Sequence, residues 1–271
     1  MTTNTDNQRN SADWDPTQYL KFTDHRLRPG LELLDRIPLQ APSRIFDLGC
    51  GTGHITRLIA ERWPEAEVVG LDNSAQMLDK ARAEASRVVW RLGNIETWSP
   101  DEPAELIYSN AALHWVNGHR ELFPRLASLL ARGGVLAVQM PLSWGQPSHQ
   151  LMRATLADGG PGGAPLGTAE LRSKVRRKWV EEAALYYRWL AGICTHLDIW
   201  ETEYLQILKG QDAVFEWVRG TGLRPILNGL QEDQLSTFLA AYKERLRTAY
   251  PYQADGRTLY PFRRIFIVAQ V

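Results

Sequence analysis

The chain has 271 residues, 44% of them hydrophobic, and its 31 Lys and Arg are balanced by 31 Asp and Glu. That length can bury one large α/β core plus an extra helical piece. A net charge of zero, with no long basic run, argues against nucleic acid as a partner, because neutralising phosphates takes clustered Lys and Arg. Cys50 and Cys194 form neither a disulfide framework nor a metal-ligand pattern, and there is no signal peptide and no apolar stretch of roughly 18 residues. The expectation is a soluble, cytoplasmic protein with no metal, no membrane contact and no protein partner implied.

In chain order, residues 1–10 are polar and read as a disordered end. Trp14, Tyr19 and Phe22 are large apolar groups ahead of the first strand, so 1–30 is expected to fold over the site as a lid. Ile45-Phe46-Asp47-Leu48 is an apolar burst that ends a buried parallel strand. Gly49, Gly51 and Gly53 follow at alternate positions, and a helical pattern begins at His54. Helices are expected over 54–62, 75–85 and 121–131. Strands are expected over 68–72, 88–91, 105–109 and 135–140, with Gly133-Gly134 as the turn before the last of these. This alternation predicts a doubly wound sheet. After Met140 the regularity breaks. Residues 158–168 are a Gly/Pro-rich loop, 169–191 look helical, 196–208 read as a long strand, and 212–219 and 233–250 are helical again. Asp255-Gly256 is a turn before a closing strand over 264–271.

The glycine run carries most of the functional information. Glycines belong where the backbone turns tightly and approaches a ligand closely. A dinucleotide fingerprint would read Gly-x-Gly-x-x-Gly and present a helix N-terminus to pyrophosphate. Here the spacing is Gly-x-Gly-x-Gly with Asp47 two residues upstream, which suits a nucleoside ligand with a cationic end and no phosphate. A second acid, Asp72, ends the next strand 19 residues after Gly53, where a carboxylate can accept both ribose hydroxyls. The plainer alternative is that Asp72 caps the helix starting near Ser74.

This pattern resembles the first motif of the class I methyltransferases, Asp/Glu-x-Gly-x-Gly-x-Gly, with every position present. The resemblance implies S-adenosylmethionine as cofactor and an α/β fold: a doubly wound, seven-stranded class I methyltransferase sheet with a mostly helical cap. It also implies cofactor contacts from Asp47, Gly49, Gly51, Gly53, Asp72, Asn73, Met77, Asn94, Ile95 and Asn110. The cofactor-binding domain would comprise 31–144, 193–209 and 259–271, closing with an antiparallel edge hairpin. The cap and substrate region would comprise 145–192 and 210–258.

Several segments outside the cofactor motif resemble a narrower family, the bacterial trans-aconitate 2-methyltransferases. They are Trp14-Asp15-Pro16 with Tyr19, Arg26-x-Arg28-Pro29, Ser109 to Trp115, Gln139-Met140-Pro141, Asp198 to Thr202, Trp217 to Pro225, Ala249-Tyr250-Pro251 and Arg264 to Ala269. That resemblance implies methyl esterification of a small tricarboxylate. The chain departs from the pattern at Asn94, where Asp is usual beside the adenine, and at His114, where Gln is common. An amide oxygen can still accept the adenine hydrogen bond. The 158–168 and 172–178 stretches match poorly.

The chemistry leads the same way. A carboxylate is already ionised at neutral pH, so attack on a sulfonium methyl needs no general base. Catalysis then consists of alignment and exclusion of water. A polyanionic acceptor calls for the forked guanidinium of arginine, and Arg26, Arg28, Arg219 and Arg224 are the candidates. Tyr19, His114 and Trp115 are expected to line the methyl-transfer centre, with Trp144 above. Each has a plainer role open to it: Arg26 and Arg28 as a solvated helix edge, Arg224 bonding a turn, Trp115 in the core, His114 without proton chemistry, and His54 as a local cap. Tyr186, Tyr187 and Trp189 read as core. Competing functions are esterification of another small acid or of an acyl-carrier substrate, with Arg172 to Lys178 as a basic rim, and a non-catalytic S-adenosylmethionine-binding protein. The glycine spacing and Asp47 disfavour a nicotinamide oxidoreductase.

Overall fold

The computed structural model describes residues 27–271. The lid expected over 1–30, including Tyr19 and Arg26, therefore lies almost wholly outside the described residues. Seven strands form one sheet in the order β3-β2-β1-β4-β5-β7-β6. They are β1 (Arg44–Leu48), β2 (Glu67–Asp72), β3 (Val89–Leu92), β4 (Ala104–Asn110), β5 (Leu130–Pro141), β6 (His196–Lys209) and β7 (Arg257–Gln270). The first five are parallel, and β7 runs antiparallel between β5 and β6. The strand order reverses between β1 and β4, the place where open α/β sheets bind ligands.

Alternating residues supply the two faces. Phe46 and Leu48 of β1 join Ile107, Leu136, Val138, Ile265 and Ile267 on one face, under Phe123 and Leu126 of α4 (His119–Ser128). Ile45 joins Val68, Leu106, Tyr108, Val135 and Phe266 on the other. That face lies under α1 (Arg28–Asp35) and α2 (His54–Arg62) through Leu33, Leu34, Ile55 and Ile59. The Tyr108 hydroxyl donates to Gly30 O across 2.7 Å and fixes α1 to the sheet. On the β2–β3 side lies α3 (Ala75–Arg82), with Leu78 and Ala81 buried.

A third core belongs to the helical layer. Here α5 (Pro147–Asp158), α6 (Ala169–Arg176), α8 (Ala213–Arg219), the short α9 (Arg224–Leu227) and α10 (Glu232–Ala249) enclose Met152, Leu171, Phe215, Ile226, Phe238 and Tyr242. The layer is anchored on β7 through Tyr260 and Phe262.

Four expectations change. The helical stretch expected over 169–191 is two helices, because the chain leaves helical geometry between α6 and α7 (Ala183–Leu190). That second helix, expected in the cap, packs on the sheet: Tyr186 and Leu190 are fully buried in the α4 core, whereas Tyr187 is exposed. Gly133 and Gly134 do not precede β5 but lie within it, at an irregularity in its pairing with β4, with Gly133 at φ 78°. Finally, β7 begins seven residues before the expected 264, because Thr258, Tyr260 and Phe262 already alternate inward.

Candidate active site

The loop after β1 is tied to the end of β2. Gly49 N and Cys50 N both donate to Leu71 O, at 2.7 and 3.0 Å, Gly51 N donates to Asp72 Oδ2 at 2.8 Å, and Gly53 N donates to Cys50 O at 3.0 Å. With these amides satisfied inside the protein, the loop offers no fan of donors to a phosphate. Arg57 braces its far side, donating to Thr52 O at 3.1 Å and Ala81 O at 2.7 Å.

The glycines serve different ends. A Cβ on Gly49 would lie 2.1 Å from Ala112 Cβ, so the β1 and β4 loops can pack together only without it. On Gly51, at φ +57°, a Cβ would meet nothing within 4 Å among the described residues, so none of them covers this backbone. Ala111, where β4 gives way to the second loop, holds φ 53°, a strained angle for a residue with a side chain.

Asp47 is 3% exposed and its Oδ2 accepts a 2.6 Å bond from the Thr56 hydroxyl. Burial raises its pKa to about 7; the Thr56 bond works against that shift and the nearby Asp72 adds to it. No cation pairs with it among the described residues, and an ammonium group would relieve the cost of its charge. Asp72 is held at both oxygens, Oδ2 by Gly51 N and Oδ1 by Ser74 N at 2.9 Å. Each oxygen keeps a lone pair for a further donor. It does not cap α3; Ser74 does, accepting from Met77 N. A buried acid with no cation beside it among the described residues, a bare glycine backbone and a second, oriented acid are an acceptor set that fits S-adenosylmethionine.

Of the other expected cofactor residues, Asn73, Met77 and Asn94 are exposed, and Ile95 is partly buried beside Gly49. Asn94 is engaged locally: its Oδ1 accepts from Glu96 N at 3.0 Å. Asn110, at the end of β4, has a buried Oδ1 with no partner among the described residues.

The acceptor side differs more from expectation. His114 and Trp115 follow β4 with their rings 4.7 Å apart, but Trp115 is 57% exposed, which rules out a core role. His114 Nδ1 is buried without a partner among the described residues. Burial first, then the charge of Arg264, drives the pKa of His114 down to about 3, so it is neutral and too weak a base to take a proton. Trp144 is partly exposed, donates to Arg176 O at 3.1 Å and lies under Arg153 at 4.3 Å.

The expected arginines do not converge on this centre. Arg28 pairs with Glu32 at 2.7 Å on an exposed helix edge. Arg219 is exposed and pairs with Glu216 at 3.4 Å. Arg224 lines an open groove of about 620 Å³ with Glu216, Arg219 and Asn228. The part of that loop that reaches inward is Gly222, where a Cβ would lie 2.7 Å from His149 Nε2.

The arginine buried here is one the sequence reading passed over. Arg264 on β7 is 6% exposed and donates to Gln139 Oε1 at 3.0 Å. Its signal was available: in the inward alternation Thr258, Tyr260, Phe262, the next position is a charged residue. Among the described residues no group of acids, histidines or cysteines could hold a metal, and no helix is long and apolar enough to cross a membrane.

Comparison with known proteins agrees with this geometry. A general methyltransferase-domain family matches residues 45–134. The trans-aconitate 2-methyltransferase of Pseudomonas paraeruginosa is 46% identical over 97% of this chain and 95% of its own length. That of Methylobacterium radiotolerans is 46% identical over 96% and 98%. Among solved structures, phosphoethanolamine N-methyltransferase 2 of Haemonchus contortus, in complex with S-adenosyl-L-methionine, shares the fold with a TM-score of 0.51 at 16% identity. The match covers 90% of this chain and 52% of that enzyme. With identity of this order along nearly its whole length, the chain belongs to the trans-aconitate 2-methyltransferase family of S-adenosylmethionine-dependent methyltransferases.

Proposed function

We propose that the protein forms a methyl ester on a carboxylate of trans-aconitate, with S-adenosylmethionine as methyl donor. The observation that carries this reading is the 46% identity to trans-aconitate 2-methyltransferases, which extends through the helical layer as well as the cofactor motif. The acceptor is a small molecule rather than a protein or nucleic acid, and the reaction takes place in the cytoplasm, a setting that suits two free cysteines.

S-adenosylmethionine supplies an electrophilic methyl on a cationic sulfur. Asp47 would hold its ammonium group and Asp72 its ribose hydroxyls, with Asn94 and Ile95 beside the base. Asn73, Met77 and Asn110 complete the proposed cofactor contacts. A carboxylate oxygen of the acceptor forms the new bond to the methyl carbon as the carbon–sulfur bond breaks, and its electron pair stays on sulfur. No proton moves, which agrees with a His114 that cannot be protonated near neutral pH. The protein's task is to align the nucleophile and keep water out.

Labelled-methyl transfer to a panel of di-, tri- and monocarboxylates tests the reading. Base-labile label on trans-aconitate is the expected product. Faster methylation of an aromatic or fatty monocarboxylate would overturn the assignment of the acceptor.

A further inference from the structure

Beside the ends of β4 and β5, the middle of β7 helps gather an unusual set of polar groups. Asn110 and Gln139 are register partners on β4 and β5, and Arg264 on β7 pairs in register with Pro141, two residues beyond Gln139. Arg264 Nη1 donates to Gln139 Oε1 at 3.0 Å, and its guanidinium lies 4.8 Å from the Phe262 ring centre. Four side-chain atoms here are buried with no hydrogen-bond partner among the described residues: Arg264 Nε, Gln139 Nε2, His114 Nδ1 and Asn110 Oδ1. No carboxylate among the described residues pairs with Arg264, although the exposed arginines Arg28, Arg219 and Arg263 each have one.

This is the reverse of what stability alone would produce. A buried guanidinium without a counter-ion is costly, and surface arginines gain little from theirs. The burial is felt at the group itself: it lowers the Arg264 pKa to about 10. Two of the unpaired atoms, Arg264 Nε and Gln139 Nε2, are donors, and an incoming anion with two oxygens satisfies such donors together.

We infer that Arg264, with Gln139, seats one carboxylate of the acceptor, and that this carboxylate is not the one methylated. The inference rests on the polycarboxylate reading above. Its second half follows from charge. A carboxylate that becomes an ester loses its negative charge on the way to the transition state. A guanidinium bound to it would therefore stabilise the ground state more than the transition state and slow the transfer. Bound to a neighbouring carboxylate, the same guanidinium fixes the acceptor without weakening the nucleophile. Arg264 thus selects for an additional carboxylate and sets which position is esterified.

The test compares Arg264→Lys and Arg264→Gln with the wild-type protein in three measurements: calorimetric binding of S-adenosylmethionine, kinetics with trans-aconitate at saturating cofactor, and the positions of the ester groups in the product. Expected are unchanged cofactor binding and a fall in kcat/KM for trans-aconitate on the order of a hundredfold for Gln, carried mainly by KM. Lys should recover part of the loss, and a single wild-type ester should become a mixture in the Gln variant. Wild-type acceptor KM and a single ester in both variants would overturn the inference while leaving the proposed reaction intact. Loss of cofactor binding in both variants would make Arg264 a packing residue and overturn it too. A wild-type protein that methylates no polycarboxylate would overturn the proposed function, and this inference with it.

Discussion

The Thr56 hydroxyl and Asp47 Oδ2 are 2.6 Å apart beneath the glycine loop, and among the described residues Thr56 is the one side chain that hydrogen-bonds this carboxylate, which is 3% exposed. Its pKa of about 7 in the folded protein, against 3.8 normally, has a definite sign. A raised carboxyl pKa contributes stability that is fully present below about 4 and is lost as pH rises through about 7, on the order of 4 kcal/mol without ligand. Binding of a cationic ligand has the opposite dependence, because it needs the ionised form. S-adenosylmethionine affinity should therefore rise by about tenfold or more from pH 5.5 to about 7.5, then fall as the ligand's own α-amino group, with a pKa of about 7.7–8.0, loses its proton. Thr56→Val, which removes the bond that lowers the pKa, should move the midpoint upward. Calorimetry across that range checks this, and a flat profile would show that Asp47 does not face the ammonium group.

Arg219 and Arg224 carried the expectation of acceptor binding, yet the first is paired with Glu216 and the second lines an open groove. Arg219→Ala and Arg224→Ala should each change the trans-aconitate KM by less than about threefold, as suits exposed charges. Gly222→Ala should do more damage, because its methyl group would press on His149. A rise of tenfold or more in KM for either arginine variant would restore the exposed loop to the acceptor site.

What could be read beforehand follows from the range of the interactions. The β1–loop–α2 unit was legible because glycine spacing, an upstream acid and an apolar burst are local signals. The two closing strands were legible from their apolar runs, and their antiparallel pairing from the family resemblance alone. Arg264 was not singled out because its significance depends on Gln139, 125 residues away, and on the absence of a nearby acid among the described residues. Arg219 and Arg224 could not be placed for the same reason: sequence gives charge but not the side from which it is presented. The fate of α7 turned on a tertiary contact, the buried pairing of Tyr186 with His119.

That contact gives a stability prediction. His119 Nδ1 lies 2.7 Å from the Tyr186 hydroxyl, which also accepts from Glu181 N at 3.1 Å, while His119 Nε2 lies 2.9 Å from Leu113 O. Tyr186→Phe leaves the buried His119 nitrogen and the Glu181 amide without their shared partner. It should lower stability by about 1–3 kcal/mol and the Tm by several degrees, with kcat nearly unchanged. Thermal unfolding with a parallel activity assay checks this. A large loss of kcat at unchanged Tm would instead connect the His119–Tyr186 pair to the adjacent His114 loop.

Gly51 and Gly53 make the sharpest contrast, because they share a backbone conformation and differ in surroundings. Both hold a left-handed φ, +57° and +79°, so alanine at either carries a strain of about 1–2 kcal/mol. At Gly53 the added methyl would also lie 2.3 Å from Trp90 Cη2, a ring fixed between the loop and Gly70. Overpacking there adds about 1–3 kcal/mol, so Gly53→Ala should be plainly destabilised. At Gly51 the methyl meets nothing within 4 Å among the described residues, and the fold should lose only the backbone strain. The space it enters is where the cofactor would approach the chain, so Gly51→Ala should weaken S-adenosylmethionine binding by tenfold or more while melting only a few degrees below wild type. Thermal unfolding and calorimetry on the two variants separate these effects. Full cofactor affinity in a folded Gly51→Ala protein would mean that the ligand does not cross this turn.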